Sequence, residues 1–451
     1  MLKENDIVSV IGVDYTSEGI GLAKVDGFPI FINNLIIGEE AEVKIVKVLR
    51  NYALGKIINF IHISPDRIKP LIPETIHLGG CQFTQLSYEK EVEHKKAKVE
   101  RALRVIGGLQ VNVEKIYAAP NPYFYRNKTV LPLSLNKQGK VFSGLYRHNT
   151  HEIVAMDKTH LDDERASDIM REIRQLAMHH ELDIYDERAH SGDLRKVMIR
   201  TSHYLDEIMV VLVTKNRKVR KLDLFCADLV TKMPSITTII QNINPDRTNV
   251  ILGTEEVVLY GPGFIRDQIH QLTFTISSQS FFQVNTLQAE KLYERAVDLA
   301  KLTKDDIVID AYSGIGTIAL IAAQQAREVI GVEIVKEAVI DAKNNAQLNR
   351  LTNVSFYEQD AGEFLVNKKT LKSIDVLFVD PPRKGLSTLF IEQMKIAKPS
   401  RVVYISCDPA TLARDLKILT DKYEIKTVEC LDMFPRTSHV ETIVLLSLRK
   451  A

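Results

Sequence analysis

From about residue 280 onward the chain alternates short apolar runs with helical patterns, and this alternation constrains the fold more than any other feature. A helix over about 287–299 leads into IVIDAY, a glycine-rich turn, the helix IALIAAQQA, the strand VIGVEI, a further helix, NVSFYEQD, the strand DVLFVD, the strand VVYISC and the helix ATLARDLKIL. Strands alternating with helices predict a mostly parallel, doubly wound sheet, and the two closing strands, KTVECLDM and VETIVLLSL, predict an antiparallel hairpin at its edge. Ligands of such sheets sit outside the carboxyl ends of the strands. The distinctive residues fall there: Asp310 to Gly316 after the first strand, then Glu333, Asp360, Asp380 and Cys407 closing the second to the fifth.

GIGTIA, residues 314–319, satisfies a loose dinucleotide fingerprint, with Glu333 at a distance suited to a ribose hydroxyl. A nicotinamide dehydrogenase is therefore one reading. The same turn and carboxylate serve any nucleoside cofactor, including S-adenosylmethionine. VLFVDPPRKG, residues 376–385, ends a buried strand with Asp380 and two prolines. Proline locks φ and lacks an N–H, so the turn is stiff and can wall a flat base while Asp380 accepts hydrogen bonds. This favours methyl transfer to a base over hydride transfer.

Cys407 closes an apolar run at the ligand edge and precedes the apparent start of a helix, whose positive end predicts a lowered thiol pKa. A buried cysteine is commonly core, but this position suits a nucleophile. No CxxC pair or paired histidine accompanies it, so no metal site is expected. Carbon 5 of uracil is too weak a nucleophile to take a methyl group unaided, whereas thiolate addition at carbon 6 makes it an enolate carbon. A base must then remove the carbon 5 proton. FPRTSHVETIVLLSL offers both His439 and Glu441, and the chemistry alone leaves that choice open.

At 451 residues the chain suggests about three units. Residues 6–60 read as short alternating strands between Gly, Asp and Asn turns, the pattern of a small all-β barrel. Through residue 60 there are 6 Lys/Arg and 8 Asp/Glu, so the segment is no evident phosphate magnet. After prolines at 65, 70 and 73, YEKEVEHKKAKVERALRVI alternates charge on a helical pattern and predicts a solvated helix face. The middle region carries KNRKVRK, residues 215–221, a candidate phosphate strip. The net charge of +1 decides nothing about a polyanionic partner, because a local patch suffices. Four cysteines are too few for a disulfide framework, and neither a secretory start nor a long apolar run is present, so a cytoplasmic protein without a membrane partner is expected.

Together these motifs resemble the RNA uracil-5-methyltransferases, most closely the branch acting on 23S ribosomal RNA. The matching residues are SFFQVN (280–285), DAYSGIGT (310–317), GVE (331–333), DPPRKG (380–385), SCDP (406–409) and HVET (439–442), with YRNK (125–128) and GLYRHNTHEIV (144–154) as weaker matches. The resemblance implies a multidomain α/β chain: a TRAM-type, OB-like RNA-binding β-barrel over 1–60, a central α+β RNA-recognition domain over 61–265 and a Rossmann-like methyltransferase domain over 266–451. It implies Cys407 as nucleophile, Glu441 as base, and Gln283, Tyr312, Glu333, Asp380 and less centrally Asp360 around S-adenosylmethionine, with Asp380 at the reacting end. Many relatives hold an iron–sulfur cluster on four cysteines, the last two in a CGGC segment; here that segment reads LGGC, with Leu78 first and only Cys81 left, so no cluster is expected. The alternatives are the same reaction on transfer RNA, the dehydrogenase, and a non-catalytic RNA-binding factor. No stable protein partner is implied.

Overall fold

The computed structural model describes residues 2–147, 150–366 and 373–450, so His148 and Asn149 of the GLYRHNTHEIV segment lie outside the described residues. The chain parts into two compact units, one of Met1–Lys98, Leu145–Val154 and Phe434–His439, the other of Val99–Gly144, Ala155–Met433 and Val440–Ala451. Among the described residues no helix is long and apolar enough to cross a membrane.

The first unit is built on a six-stranded sheet in the order Ile7–Ile11, Glu40–Val48, Ala53–His62, Phe28–Ile32, Gly21–Val25, Asp14–Tyr15. Alternation places Ala41, Val43 and Ile45 inside while Glu42 and Lys44 face out, the period of two that a half-buried strand requires. They pack with Val10, Ala23, Ile30, Ile32 and Ala53 in one core. Gly55 sits so close to this core that a Cβ there would come 2.4 Å from Val43 Cγ1.

The helix Tyr88–Val105 has the solvated face that its charges predict, at Glu89, Lys90, Glu93 and Arg104, but two of its charges lie on the buried face. Glu91 and Lys95, one helical turn apart, are both fully buried and joined at 2.6 Å. Lys95 Nζ also donates to the Phe434 carbonyl, and the Arg436 backbone N–H donates to Glu91 Oε1 at 2.7 Å. Charge alternation looks the same whether the helix face meets water or counter-charges, so the sequence could not separate the two. Removing one partner of a buried pair strands the other, at a cost of about 3–5 kcal/mol. Glu91→Ala takes away the carboxylate that Lys95 and Arg436 share. It should destabilise the protein by about 3 kcal/mol, read as an earlier chemical-denaturation midpoint by circular dichroism.

In the second unit a sheet sets Lys128–Leu135, Leu194–Thr201, Ile208–Thr214, Ile236–Ile243 and Glu255–Tyr260 side by side in that order. All seven residues of Ile208–Thr214 are buried, as befits a strand inside a sheet. The hairpin Ile265–Ile269 and Leu272–Ile276 follows.

Helix α1 (Thr286–Ala300) precedes β1 (Ile307–Asp310), α2 (Thr317–Ala323), β2 (Glu328–Glu333), α3 (Lys336–Leu348), β3 (Val354–Glu358), α4 (Ala361–Val366), β4 (Val376–Val379), α5 (Thr388–Ala397), β5 (Arg401–Ser406), α6 (Pro409–Leu419), β6 (Tyr423–Leu431) and β7 (Glu441–Leu448). The sheet order is β3-β2-β1-β4-β5-β7-β6, with β1 to β5 parallel and β7 antiparallel to both neighbours: a Rossmann-like, doubly wound sheet. Val402 to Ile405 of β5 are fully buried, which explains the unbroken apolar run there.

The closing hairpin is not the sheet's edge. β7 inserts between β5 and β6, and Lys115–Tyr117 adds outside β6 in parallel, Glu429 opposite Lys115 and Leu431 opposite Tyr117. Three residues are too few to show a strand period, which is why the sequence hides this edge.

Candidate active site

Strand register assembles the site. β5 and β7 pair antiparallel from Arg401 opposite Ser447 up to Ser406 opposite Thr442. Carrying that ladder one residue further sets Cys407 opposite Glu441. In the parallel part Asp310 lies level with Gly331 and with Phe378. Two residues beyond that row are Tyr312, Glu333 and Asp380, which therefore leave the sheet side by side.

The turn after β1 has Gly314 and Gly316 at positive φ, 52° and 89°. A Cβ on Gly314 would meet nothing within 4 Å, so the turn is open there, whereas one on Gly316 would strike the Phe356 ring at 2.9 Å. Gly314 N–H donates to Glu333 Oε2 (3.1 Å), and Ile334 and Val335 N–H donate to Oε1 (2.8 and 2.9 Å), which fixes this carboxylate at the end of β2. Asp310 Oδ2 accepts from Ala319 N–H at 3.0 Å. Its Oδ1, and the hydroxyl of Ser313, are buried without a hydrogen-bond partner among the described residues. Unspent polar atoms beside an open glycine turn fit a ligand that brings hydroxyl and amine groups. Asp360 is exposed and caps α4, accepting from Gly362 and Glu363 N–H (2.8 and 3.1 Å), and its charge reaches Tyr312.

At the other end of the row sit three carboxyl groups. Burial pushes Asp380 up to about 7; burial and then the Asp380 charge push Asp310 to about 7 and Glu441 to about 8, with the Arg383 guanidinium drawing Glu441 down. The sequence predicts a lowered thiol pKa for Cys407, and the structure shows the reverse. Burial, then Glu441 and Asp380, push it up to about 12 against the pull of Arg383. The helix end is already occupied, because Asp408 caps α6 by accepting from Ala410 and Thr411 N–H (2.9 and 3.0 Å).

Two residues at this centre escape the sequence reading. Arg383, inside DPPRKG, is the cation whose charge reaches both Cys407 and Glu441. Tyr293 on α1 is buried, hydrogen-bonds the side chain of Gln283, and has its pKa raised by burial and by Asp380, Asp310 and Glu441. On a helical pattern it reads as core, and only the fold brings its hydroxyl to the carboxyl groups. Gln283 itself is buried at the entry to α1. The DPPRKG turn is anchored through Asp415, buried on α6, which accepts from Leu386 N–H and the Tyr404 hydroxyl, both at 2.8 Å. Gly385, at φ 74°, has no room for a side chain, since a Cβ would lie 2.5 Å from Asp415 Oδ2.

His439 groups with the first unit and stacks edge-on to Phe434, whereas Glu441 is the first residue of β7. The KNRKVRK segment lies in the loop after Ile208–Thr214 with most of its charge engaged. Lys215 donates to the His190 carbonyl, Arg217 pairs with Glu255, and Arg220 and Lys221 share Glu181.

A doubly wound sheet whose strand ends carry a glycine turn, a carboxylate closing β2 and a thiol within reach of a buried carboxyl group fits the methyltransferase class of nucleoside-cofactor enzymes. The chain belongs to the tRNA (uracil-5-)-methyltransferase family, which matches residues 87–449, and carries a TRAM domain at residues 8–58. It is thus an S-adenosylmethionine-dependent RNA methyltransferase with an RNA-binding TRAM domain. It is 41% identical over 452 residues to an uncharacterized RNA methyltransferase of Oceanobacillus iheyensis, covering 99% of this chain and 98% of the relative. An uncharacterized RNA methyltransferase of Listeria innocua is 40% identical over 451 residues, covering 100% and 99%. Among solved structures it is similar to the Pyrococcus abyssi tRNA (uracil-54, C5)-methyltransferase in complex with S-adenosyl-L-homocysteine, with a TM-score of 0.79 and 25% identity over 97% of this chain and 100% of that one.

The raised carboxyl groups make stability pH-dependent. A carboxyl whose pKa is higher folded than unfolded binds its proton more readily when folded, so its contribution is present at low pH and lost as pH rises through the folded value. For Glu441 that window runs from the ordinary carboxyl range to about 8. Glu441→Gln should therefore raise the thermal midpoint at pH 8.5 relative to the parent and change it little at about pH 4, measured by calorimetry at both.

Proposed function

We propose that this methyltransferase forms 5-methyluridine in 23S ribosomal RNA, with Cys407 as nucleophile and Glu441 as general base. The observation that supports this chemistry is the β5–β7 ladder, which ends at Ser406 opposite Thr442, one residue short of Cys407 and Glu441. When bound, S-adenosylmethionine supplies an electrophilic methyl group. Gln283, Tyr312, Glu333 and Asp380 would hold it along the strand-end row, with Asp360 beyond Tyr312.

Cys407 loses its proton to solvent, with Arg383 supporting the thiolate. The sulfur then bonds to carbon 6, and the carbon 5–carbon 6 π pair moves onto carbon 5 and oxygen 4. Carbon 5 takes the methyl group. Ionised Glu441 removes the carbon 5 proton, the electron pair restores the double bond, and the thiolate leaves. The net change is a methyl group for a proton. Asp380 accepts hydrogen bonds beside the ring and helps keep the Glu441 proton affinity high enough for this task. Residues 1–60 and 61–265 bind the RNA and offset the stacking lost when the uridine is extruded, worth a few kcal/mol. The reaction is cytoplasmic, which suits a chain with only four cysteines.

A second reading, the same reaction on transfer RNA, is favoured by the substrate of the Pyrococcus abyssi enzyme, whose likeness spans 97% of this chain. RNA tritiated at uracil carbon 5 separates the two. Release from 23S fragments and not from transfer RNA is expected; release from transfer RNA alone moves the substrate, and release from neither sinks the carbon 5 chemistry. Variants at the two ends of the ladder should fail differently. Cys407→Ala forms no covalent complex with 5-fluorouridine RNA. Glu441→Gln, able to add and methylate but not to remove the proton, accumulates a protein–RNA adduct on unmodified RNA, visible as a slowed band in denaturing gels.

A further inference from the structure

In the central sheet Lys128 lies directly opposite Arg200 on an antiparallel neighbour, so their side chains share one face. Arg126 lies just before this strand, where it bridges Asp162 in parallel, and its charge reaches the Lys128 amine. Arg200 is 3% exposed and places Nη2 on the carbonyl oxygens of Ser278 (3.3 Å) and Ser280 (2.5 Å). The Nε atoms of Arg126 and Arg200 are buried without a hydrogen-bond partner among the described residues. Burial, with the charges of Arg200 and Arg126, lowers the Lys128 amine to about 8, and no carboxylate is among the groups acting on it. Cations whose charges act on one buried amine are costly to desolvate, and a bound anion relieves that cost.

The position of the cluster says which anion. Asn127, between Arg126 and Lys128, donates Nδ2 to the Gln283 carbonyl (2.9 Å), and its N–H donates to the Val284 carbonyl (2.8 Å). The cationic strand is thereby tied to the segment whose Gln283 meets Tyr293 among the carboxyl groups of the reaction centre. We propose that Arg126, Lys128 and Arg200 form a binding site for a backbone phosphate of the RNA substrate, close to the nucleotide that enters the active site. Arg200 is the buried floor, held by Ser278 and Ser280, while Arg126 and Lys128 are half-buried and reach the phosphate oxygens. The inference rests on the RNA substrate of the reading above, not on its carbon 5 chemistry.

The test measures binding of a labelled 23S fragment and a transfer RNA by fluorescence anisotropy across a salt series, with the full-length protein, Lys128→Met, Arg126→Met and Lys128→Arg. Each methionine variant should lose about tenfold in affinity, and the slope of log affinity against log salt should shrink by about 0.7–0.9 for each phosphate no longer neutralised. Lys128→Arg should restore both, and S-adenosylmethionine affinity by calorimetry should be unchanged in all. Unchanged affinity and slope in both methionine variants would overturn the phosphate site, as would a parent protein that binds neither RNA. A parent that binds RNA with this signature yet releases no tritium leaves the phosphate site standing and removes the carbon 5 reading.

Discussion

The structure turns on the ladder between β5 and β7. A parallel sheet alone would deliver strand ends to one edge, but none of them would come from the last segment of the chain. By running back antiparallel between β5 and β6, β7 begins where β5 ends, so its first residue faces the residue that follows Ser406. Register is enforced from both faces, because Val402 to Ile405 and Ile443 and Val444 are fully buried and a one-residue slip would exchange the faces of every side chain. The geometry of the thiol and carboxyl is thus a consequence of core packing several residues away.

That packing has an electrostatic consequence. Asp310, Asp380 and Glu441 crowd one dry region, and burial raises all three. A raised carboxyl is a stability cost at neutral pH, and for the base proposed at Glu441 it would be a functional asset, since its proton affinity suits a carbon acid better than that of an exposed carboxylate. The Arg383 guanidinium draws Glu441 down against that rise. Its turn stays in place because Asp415 ties the DPPRKG loop to α6 and to Tyr404 on β5, the strand that ends in Cys407.

What the sequence disclosed is what strand ends disclose. Asp310, Glu333, Asp380 and Cys407 each close an apolar run, and parallel strands send their carboxyl ends to one edge, so pattern sufficed to gather them. Pattern failed where a residue's meaning depends on a partner far along the chain. Glu91 and Lys95 look like surface charge until Arg436 and the Phe434 carbonyl meet them. Tyr293 looks like core until its hydroxyl is found among carboxyl groups. The lowered thiol pKa failed for a local reason, since Asp408 is both part of the motif and the cap that occupies the helix end.

The charge pattern of the second unit follows the same logic. KNRKVRK is dense in cations, and in the free protein most of them are paired at the surface with Glu181, Glu255 and the His190 carbonyl. Arg126, Lys128 and Arg200 are scattered in sequence, and the Nε atoms of the two arginines are buried without a hydrogen-bond partner among the described residues. Density along the chain counts cations, while affinity for a polyanion depends on those the fold leaves uncompensated. Their strand also grips the Gln283 segment through Asn127, so an RNA strand held there is anchored to the scaffold that positions the reaction centre, which converts backbone binding into placement of one base.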